Sequence, residues 1–362
     1  MTQERYRERL AALRSRMGEA ELDGLVVSAP PNVFYLSGFR GSAGVLLVTG
    51  ERAVLASDFR YRLQAREQAL GWEFVEVKRE LFSALGRTAK EAGVRRLGYD
   101  AAHLTCERRD ELARGAEAVE LVAASGMVEK LRAVKSQEEV ALIRAAAALA
   151  DRALSHIVTL MRPGAREREL ALEGEFLMRR EGAEAAAFDV IVASGPRSAL
   201  PHAETSEREL SAGDLVVIDI GARVHGYCSD MTRTFAVATA PQHAKELYRV
   251  VWRAQRAGEA AVRAGARCQE VDSAARTVIA EAGYAEAFGH GLGHGVGIEV
   301  HETPRLAQGE EQQLACGNVV TVEPGIYLEA LGGVRLENLM LVTPDGAETL
   351  TGWALPDELP EV

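Results

Sequence analysis

The 362-residue sequence is poor in cysteine, in long apolar runs and in lysine. Its four cysteines, Cys106, Cys228, Cys268 and Cys316, lie 40 or more residues apart and form no C-x-x-C pair. That spacing argues against a thiolate zinc site and a disulfide-dense secreted domain, and points to free thiols in a reducing cytoplasm. No apolar stretch approaches the ~20 residues of a membrane span, so no membrane association is expected. The opening MTQERYRERLAALRSRM reads as a charged amphipathic helix and lacks the apolar core of a secretory signal. Lysines number only 5 against 37 arginines, and the formal net charge is −11. Nucleic-acid binding needs basic residues clustered on one face, so an acidic chain of this kind is expected to have no nucleic-acid partner.

What is present divides unevenly. Residues 1–129 hold 19 basic and 19 acidic side chains, so the whole −11 falls in the remainder, which holds 23 and 34. Such acidity has two readings: a solvated surface, or carboxylates turned inward on a cation. At ~100–200 residues per domain the length suggests two domains. Over residues 1–125, strand-like runs (LDGLVVSAP, NVFYLSGF, GVLLVTG, RAVLASD, RRLGYD) alternate with helical patterns, which is an α/β arrangement. Residues 126–362 begin with a long Ala-rich helix, announced by the capping-box pair Ser136 and Glu139. Gly-laden strands and further helices near 166–181, 241–264 and 268–282 follow, suggesting an α+β second domain.

Two segments of the second domain carry charge where strands disfavour it. In DLVVIDIGARVHGYCSDMTRTFAV two apolar strands flank a short turn; centring it between Val224 and His225 sets Asp219 opposite Asp230. Like charges facing each other in buried strands are destabilising unless a shared cation offsets them. NVVTVEPGIYLEALGGVRLENLMLV repeats the pattern, with Glu323 and Glu337 opposed in a hairpin centred at Ala330. GHGLGHGVGIEVHETP then supplies His290, His294 and His301 of a total of eight histidines. Four carboxylates and one imidazole make an oxygen-rich cage for two divalent ions, suited to Mn2+ or Co2+, with Zn2+ as the alternative.

The set Asp219, Asp230, His294, Glu323 and Glu337, in that order, resembles the ligand set of the pita-bread metallopeptidases, which include methionine aminopeptidase, aminopeptidase P and prolidase. The motifs IDIGARVHGYCSDMTRTF, GHGLGHGVGIEVHE, TVEPGIY and GGVRLEN look like that family's ligand blocks, over about residues 126–345. The first 125 residues, with NVFYLSGF and ASDFRY, resemble the creatinase-type N-terminal domain of the Xaa-Pro branch. The resemblance implies a pita-bread α+β catalytic domain and hydrolysis of an Xaa-Pro bond by water activated between two metal ions. In it Asp219 binds one ion, Asp230 and Glu337 bridge both, and His294 and Glu323 complete the set. It further implies that Glu323 passes a proton to the leaving nitrogen and that His202 and His301 assist catalysis, with His290 lining the substrate pocket.

Thr232 and Arg335 lie two residues from Asp230 and Glu337, on the same strand faces, and so would support those ligands. A dipeptidase must hold a free carboxylate beside the scissile bond, a task suited to arginine. Arg305 is placed as in prolidase-like members, and Arg40 is the second candidate for that role, acting across a homodimer. The expected substrates are proline-containing dipeptides. Longer peptides, as for aminopeptidase P, are the alternative reading, and a metal-free creatinase-like or non-catalytic protein is a remote one.

Overall fold

The computed structural model describes residues 3–329 and 331–362. The chain divides into two compact units, Met1–Arg132 and Ala133–Val362.

The first unit is built on a six-stranded mixed sheet. Its strands run, edge to edge, Glu73–Glu76, Ala53–Ser57, Val45–Thr49, Gly24–Val27, Arg96–Tyr99 and Glu120–Ala123. The three central strands are joined antiparallel, and the outer pairings are parallel. Val26, Leu47, Val54, Phe82, Leu85, Leu97 and Leu112 form its core. The NVFYLSGF segment, strand-like by its sequence pattern, lies instead mostly in an α-helix, Pro30–Ser37. Pro30 and Pro31 occupy the first turn, where a missing N–H costs nothing and a fixed φ favours helix. Almost every side chain of this helix is buried, so the segment lacks the amphipathic period that would have announced it.

The second unit has two similarly built halves. The helices Gln137–Leu160 and Glu167–Arg180 share a core with the antiparallel strands Ile191–Ser194, Leu215–Asp219 and Thr232–Ala236. The helices Gln242–Ala261 and Cys268–Glu281 share another with Val319–Val322 and Asn338–Thr343. The Gln137–Leu160 helix starts with the expected capping box: Ser136 Oγ receives the N–H of Glu139, whose carboxylate receives the N–H of Ser136. Each half thus offers a hairpin interrupted at mid-length, and the acids sit at the interruptions.

In the first hairpin the register departs from expectation. Thr232 stands opposite Asp219, and Arg223 opposite Cys228, so Asp230 faces Gly221 rather than Asp219. The turn is centred on His225 and Gly226, both at positive φ (46° and 86°). That is the signature of a two-residue hairpin loop, in which the glycine must occupy the second central position. A displacement by two residues preserves the strand face, so Asp219 and Asp230 still look the same way. The second hairpin keeps the expected register: Val322 pairs with Asn338 and Gly325 with Arg335, which leaves Glu323 opposite Glu337. Ala330, the expected centre of its turn, lies outside the described residues.

Candidate metal centre

The two hairpins meet edge to edge. The N–H of Glu337 donates to the Thr232 carbonyl at 3.1 Å, and the N–H of Arg335 to Thr234 Oγ1 at 3.2 Å. This contact brings Asp219, at the end of its strand, and Asp230, just before the next, alongside Glu323 and Glu337. The strand Gly293–Gly295 supplies His294, whose Nε2 lies 3.1 Å from Glu323 Oε1 and 3.7 Å from Asp230 Oδ2. One ligand atom each of Asp230, His294 and Glu337 falls within a mutual 4.8 Å.

Glycines flank His294 because neighbouring chains crowd it. A Cβ on Gly293 would stand 2.0 Å from the Thr321 carbonyl oxygen, and one on Gly295 2.4 Å from that of Thr303. Gly293→Ala is therefore expected to cost about 3 kcal/mol through overpacking, read as a lower denaturant midpoint; an unchanged midpoint would contradict this packing.

The electrostatics are those of a site short of positive charge. Burial, followed by repulsion from Glu337, Asp219 and Glu323, drives the Asp230 carboxyl well above the usual range. Burial, then Glu323 and Asp219, does the same to Glu337. Asp219 is also raised by burial, although the Arg335 guanidinium opposes the rise. Glu323 moves the other way: its hydrogen bond and charge contact with His294 outweigh burial and hold it below the ordinary carboxylate range. His294 is pushed up to about 9, since burial is outweighed by Glu323 and Glu337.

Two buried oxygens, Asp219 Oδ1 and Glu337 Oε1, have no hydrogen-bond partner among the described residues. An uncompensated buried carboxylate oxygen is costly, and a cation is the partner that would satisfy both. Hard oxygen donors with one imidazole fit divalent ions of the Mn2+, Co2+ and Zn2+ type. The residues present therefore fit a metal.

Around them stands a braced shell. Arg335, only 3% exposed, donates from Nη2 to Asp219 Oδ2 (2.7 Å), from Nε to Thr232 Oγ1 (3.1 Å), and from Nη1 to the Pro201 carbonyl (3.0 Å) and Tyr327 Oη (3.2 Å). Thr232 in turn donates to Glu337 Oε2 at 2.8 Å. Two further members have no counterpart among the sequence expectations. Thr321 Oγ1 accepts the His294 N–H at 3.0 Å and lies 3.1 Å from Glu323 Oε1. Tyr327 Oη lies 2.9 Å from His290 Nε2. Thr321 stands two residues before Glu323, and the same-face rule that singled out Thr232 and Arg335 would have found it.

The remaining histidines gather nearby. The ring of His301 lies 4.3 Å from that of His294, and His290 rests edge-on against Phe288 at 5.0 Å. Burial lowers both below the ordinary histidine value, and His294 adds to the lowering at His301; His202 is exposed. Arg305 is exposed on the strand Glu302–Leu306, directly opposite His294 in register and hence on its side of the sheet. Arg40 belongs to the first unit, where its guanidinium lies over the Phe34 ring at 4.8 Å.

Buried acids brace the loops that carry these histidines. Asp272 pairs with Arg276, whose guanidinium donates to the carbonyls of Phe288 and His290. Glu302 Oε2 accepts from Lys135 Nζ at 3.1 Å, and Glu302 Oε1 accepts the Glu299 N–H at 3.0 Å, in a pair 5% and 1% exposed.

Fold and site together define a metallopeptidase. Residues 141–344 match the model of Metallopeptidase family M24, and residues 9–134 match that of the Creatinase/Prolidase N-terminal domain. The chain belongs to metallopeptidase family M24, with a creatinase-type N-terminal domain followed in sequence by a pita-bread catalytic domain. An Xaa-Pro dipeptidase of Pyrococcus horikoshii is 39% identical over 346 residues, spanning 95% of this chain and 97% of that protein. The solved structure of an Xaa-Pro dipeptidase from Bacillus anthracis superposes with a TM-score of 0.95 at 41% identity, covering 99% of this chain and 100% of that one. That of an X-Pro aminopeptidase from Thermotoga maritima gives 0.87 at 34% identity, covering 96% and 100%.

Proposed function

We propose that this metallopeptidase is an Xaa-Pro dipeptidase holding two divalent ions through Asp219, Asp230, His294, Glu323 and Glu337. The observation that carries the reading is the buried carboxylate set, with two unpartnered oxygens, beside His294. Mn2+ is the favoured ion, with Co2+ or Zn2+ as alternatives. When bound, such ions lower the pKa of water and polarise the scissile carbonyl. Glu323, held ionised by His294, takes a proton at its carboxylate and delivers it to the proline nitrogen as the bond breaks. His301, kept neutral by its lowered pKa, donates to the developing oxyanion, while His202 and His290 line the proline side. Four free thiols support a reducing, cytoplasmic setting.

Arg305 supports the dipeptide preference, because its exposed guanidinium on the His294 side can pair with a free C-terminal carboxylate. Removing one charge-assisted contact of this kind costs about 1.5–3 kcal/mol, a factor of roughly 10–100. Arg305→Ala is thus expected to raise KM for an Xaa-Pro dipeptide by that factor and to leave longer Xaa-Pro peptides little affected. The likeness to the Thermotoga maritima aminopeptidase favours a second reading, release of the N-terminal residue from longer peptides. If wild-type protein cleaves longer peptides as well as dipeptides, that second reading replaces the first.

A further inference from the structure

His202 sits at the surface on the segment 194–206, within the link from the strand Ile191–Ser194 to the strand Leu215–Asp219, a stretch with little regular structure beyond the short 3-10 turn Gly195–Ala199. Such a segment needs something to hold its shape. The far side of it touches the metal centre, since the Pro201 carbonyl accepts from Arg335 Nη1 and Ser198 Oγ accepts the Gly333 N–H at 2.9 Å. Its two ends converge on one side chain.

Glu167 is the first residue of the helix Glu167–Arg180 and is 0% exposed. Its Oε1 accepts both the N–H and the Oγ–H of Ser194, each at 2.7 Å. Its Oε2 accepts the N–H of Ser206 at 3.0 Å, the Oγ–H of Ser206 at 2.5 Å and Arg197 Nε at 3.3 Å. Five donors thus converge on the roughly four lone-pair positions of one carboxylate. Arg197 also donates to the Glu204 carbonyl, closing the segment a second time within the clasp. A helix N-terminus welcomes an acid on electrostatic grounds alone, but Glu169, exposed in the same turn, already meets that preference. Complete burial of Glu167 and its donors on both ends of one loop are not explained by the helix.

We propose that Glu167 is a positioning residue: its carboxylate fastens Ser194 to Ser206 and thereby fixes the loop that carries His202 and the Pro201 carbonyl bonded to Arg335. The assignment rests on the proposed Xaa-Pro hydrolysis for its kinetic consequence, though not for its structural one. Glu167 is itself no part of the reacting groups and acts through His202. A glutamine in its place would present an amide N–H2 to donors where an acceptor is needed, releasing at least one end of the segment. Misplacing a substrate-contacting group by about 1 Å costs up to ~100-fold in rate.

The test compares Glu167→Gln, His202→Ala, the double variant and the control Glu169→Gln, all loaded with Mn2+. Glu167→Gln and His202→Ala are each expected to lower kcat/KM for an Xaa-Pro dipeptide tenfold or more, and the double variant to match His202→Ala alone. Mn2+ affinity, measured by calorimetry, is expected to stay at the wild-type value in Glu167→Gln. Hydrogen exchange of the Ser194–Ser206 amides is expected to rise at least tenfold in Glu167→Gln and not in Glu169→Gln. Additive losses in the double variant, or a matching loss of Mn2+ affinity, would overturn the proposal by making Glu167 a general support of the fold. Should Glu167→Gln fail to fold, Ser206→Ala removes one hydroxyl contact and is expected to give a smaller change of the same kind. The exchange arm needs no turnover. A wild-type protein that does not cleave the dipeptide sinks the proposed function, whereas unchanged exchange in Glu167→Gln sinks the clasp.

Discussion

Asp230→Asn is expected to lower kcat/KM for an Xaa-Pro dipeptide by about a thousandfold and, at the same time, to stabilise the metal-stripped protein. Both effects follow from one charge. Asp230 is 5% exposed, and burial together with Glu337, Asp219 and Glu323 disfavours its ionised form. The amide keeps the shape and removes the charge, so without metal the repulsion eases and folding gains about 1–3 kcal/mol. With Mn2+ present the order reverses, because the wild type gains from the ions what the variant cannot. A thousandfold loss corresponds to about 4 kcal/mol of transition-state stabilisation, within the several kcal/mol that a metal ion supplies. Thermal unfolding of both proteins with and without Mn2+, beside steady-state kinetics, reads all four quantities. An Asp230→Asn protein of undiminished activity would remove Asp230 from the site.

The second large effect is a stability gap between metal-loaded and metal-stripped protein that widens as pH rises. Asp219, Asp230 and Glu337 have folded-state values raised above those of an unfolded chain, near 4. A raised group contributes stability below its unfolded pKa and loses it as pH climbs through the folded one. His294, raised to about 9, behaves alike: its contribution is full below about 6.5 and gone above 9. Glu323 has the opposite sign, but its lowered value places its whole transition below pH 5. Between pH 5 and 9 the stripped protein should therefore lose stability steadily. Metal binds the deprotonated carboxylates and the neutral imidazole, so its stabilisation grows over the same window. At a hundredfold excess over the dissociation constant one site contributes about 2.7 kcal/mol, on the order of 5–10 °C in the melting temperature. Melting curves at several pH values, with a chelator or with Mn2+, check the sign. A gap that narrows as pH rises would contradict the electrostatics described above.

The sequence exposes the acids and histidines because each breaks a local rule. Asp219 and Asp230 interrupt apolar strands, and Glu323 and Glu337 do so at opposed positions that the structure retains. The first hairpin shows the limit of such reading, since a turn centre misplaced by one residue moved the register by two. The face survived only because side chains alternate with period 2. The Pro30–Ser37 helix was hidden for a different reason: uniform burial erases the helical period. Glu167 leaves no local trace, nor do the contacts of Asp272 with the Leu292 N–H and of Glu302 with Lys135, because these partners are placed by the fold rather than by a fixed spacing. Glu167, for instance, reaches Ser194 and Ser206 across 27 and 39 residues. The inward reading of the net acidity is likewise a property of the folded chain, where four of the negative charges converge beside His294.

The most direct test adds Mn2+ to metal-stripped wild-type protein while following ion binding and Xaa-Pro dipeptide hydrolysis together. Two ions bound per chain, with hydrolysis appearing as they bind, is the predicted result. A protein that retains no Mn2+ and cleaves no Xaa-Pro bond would contradict it.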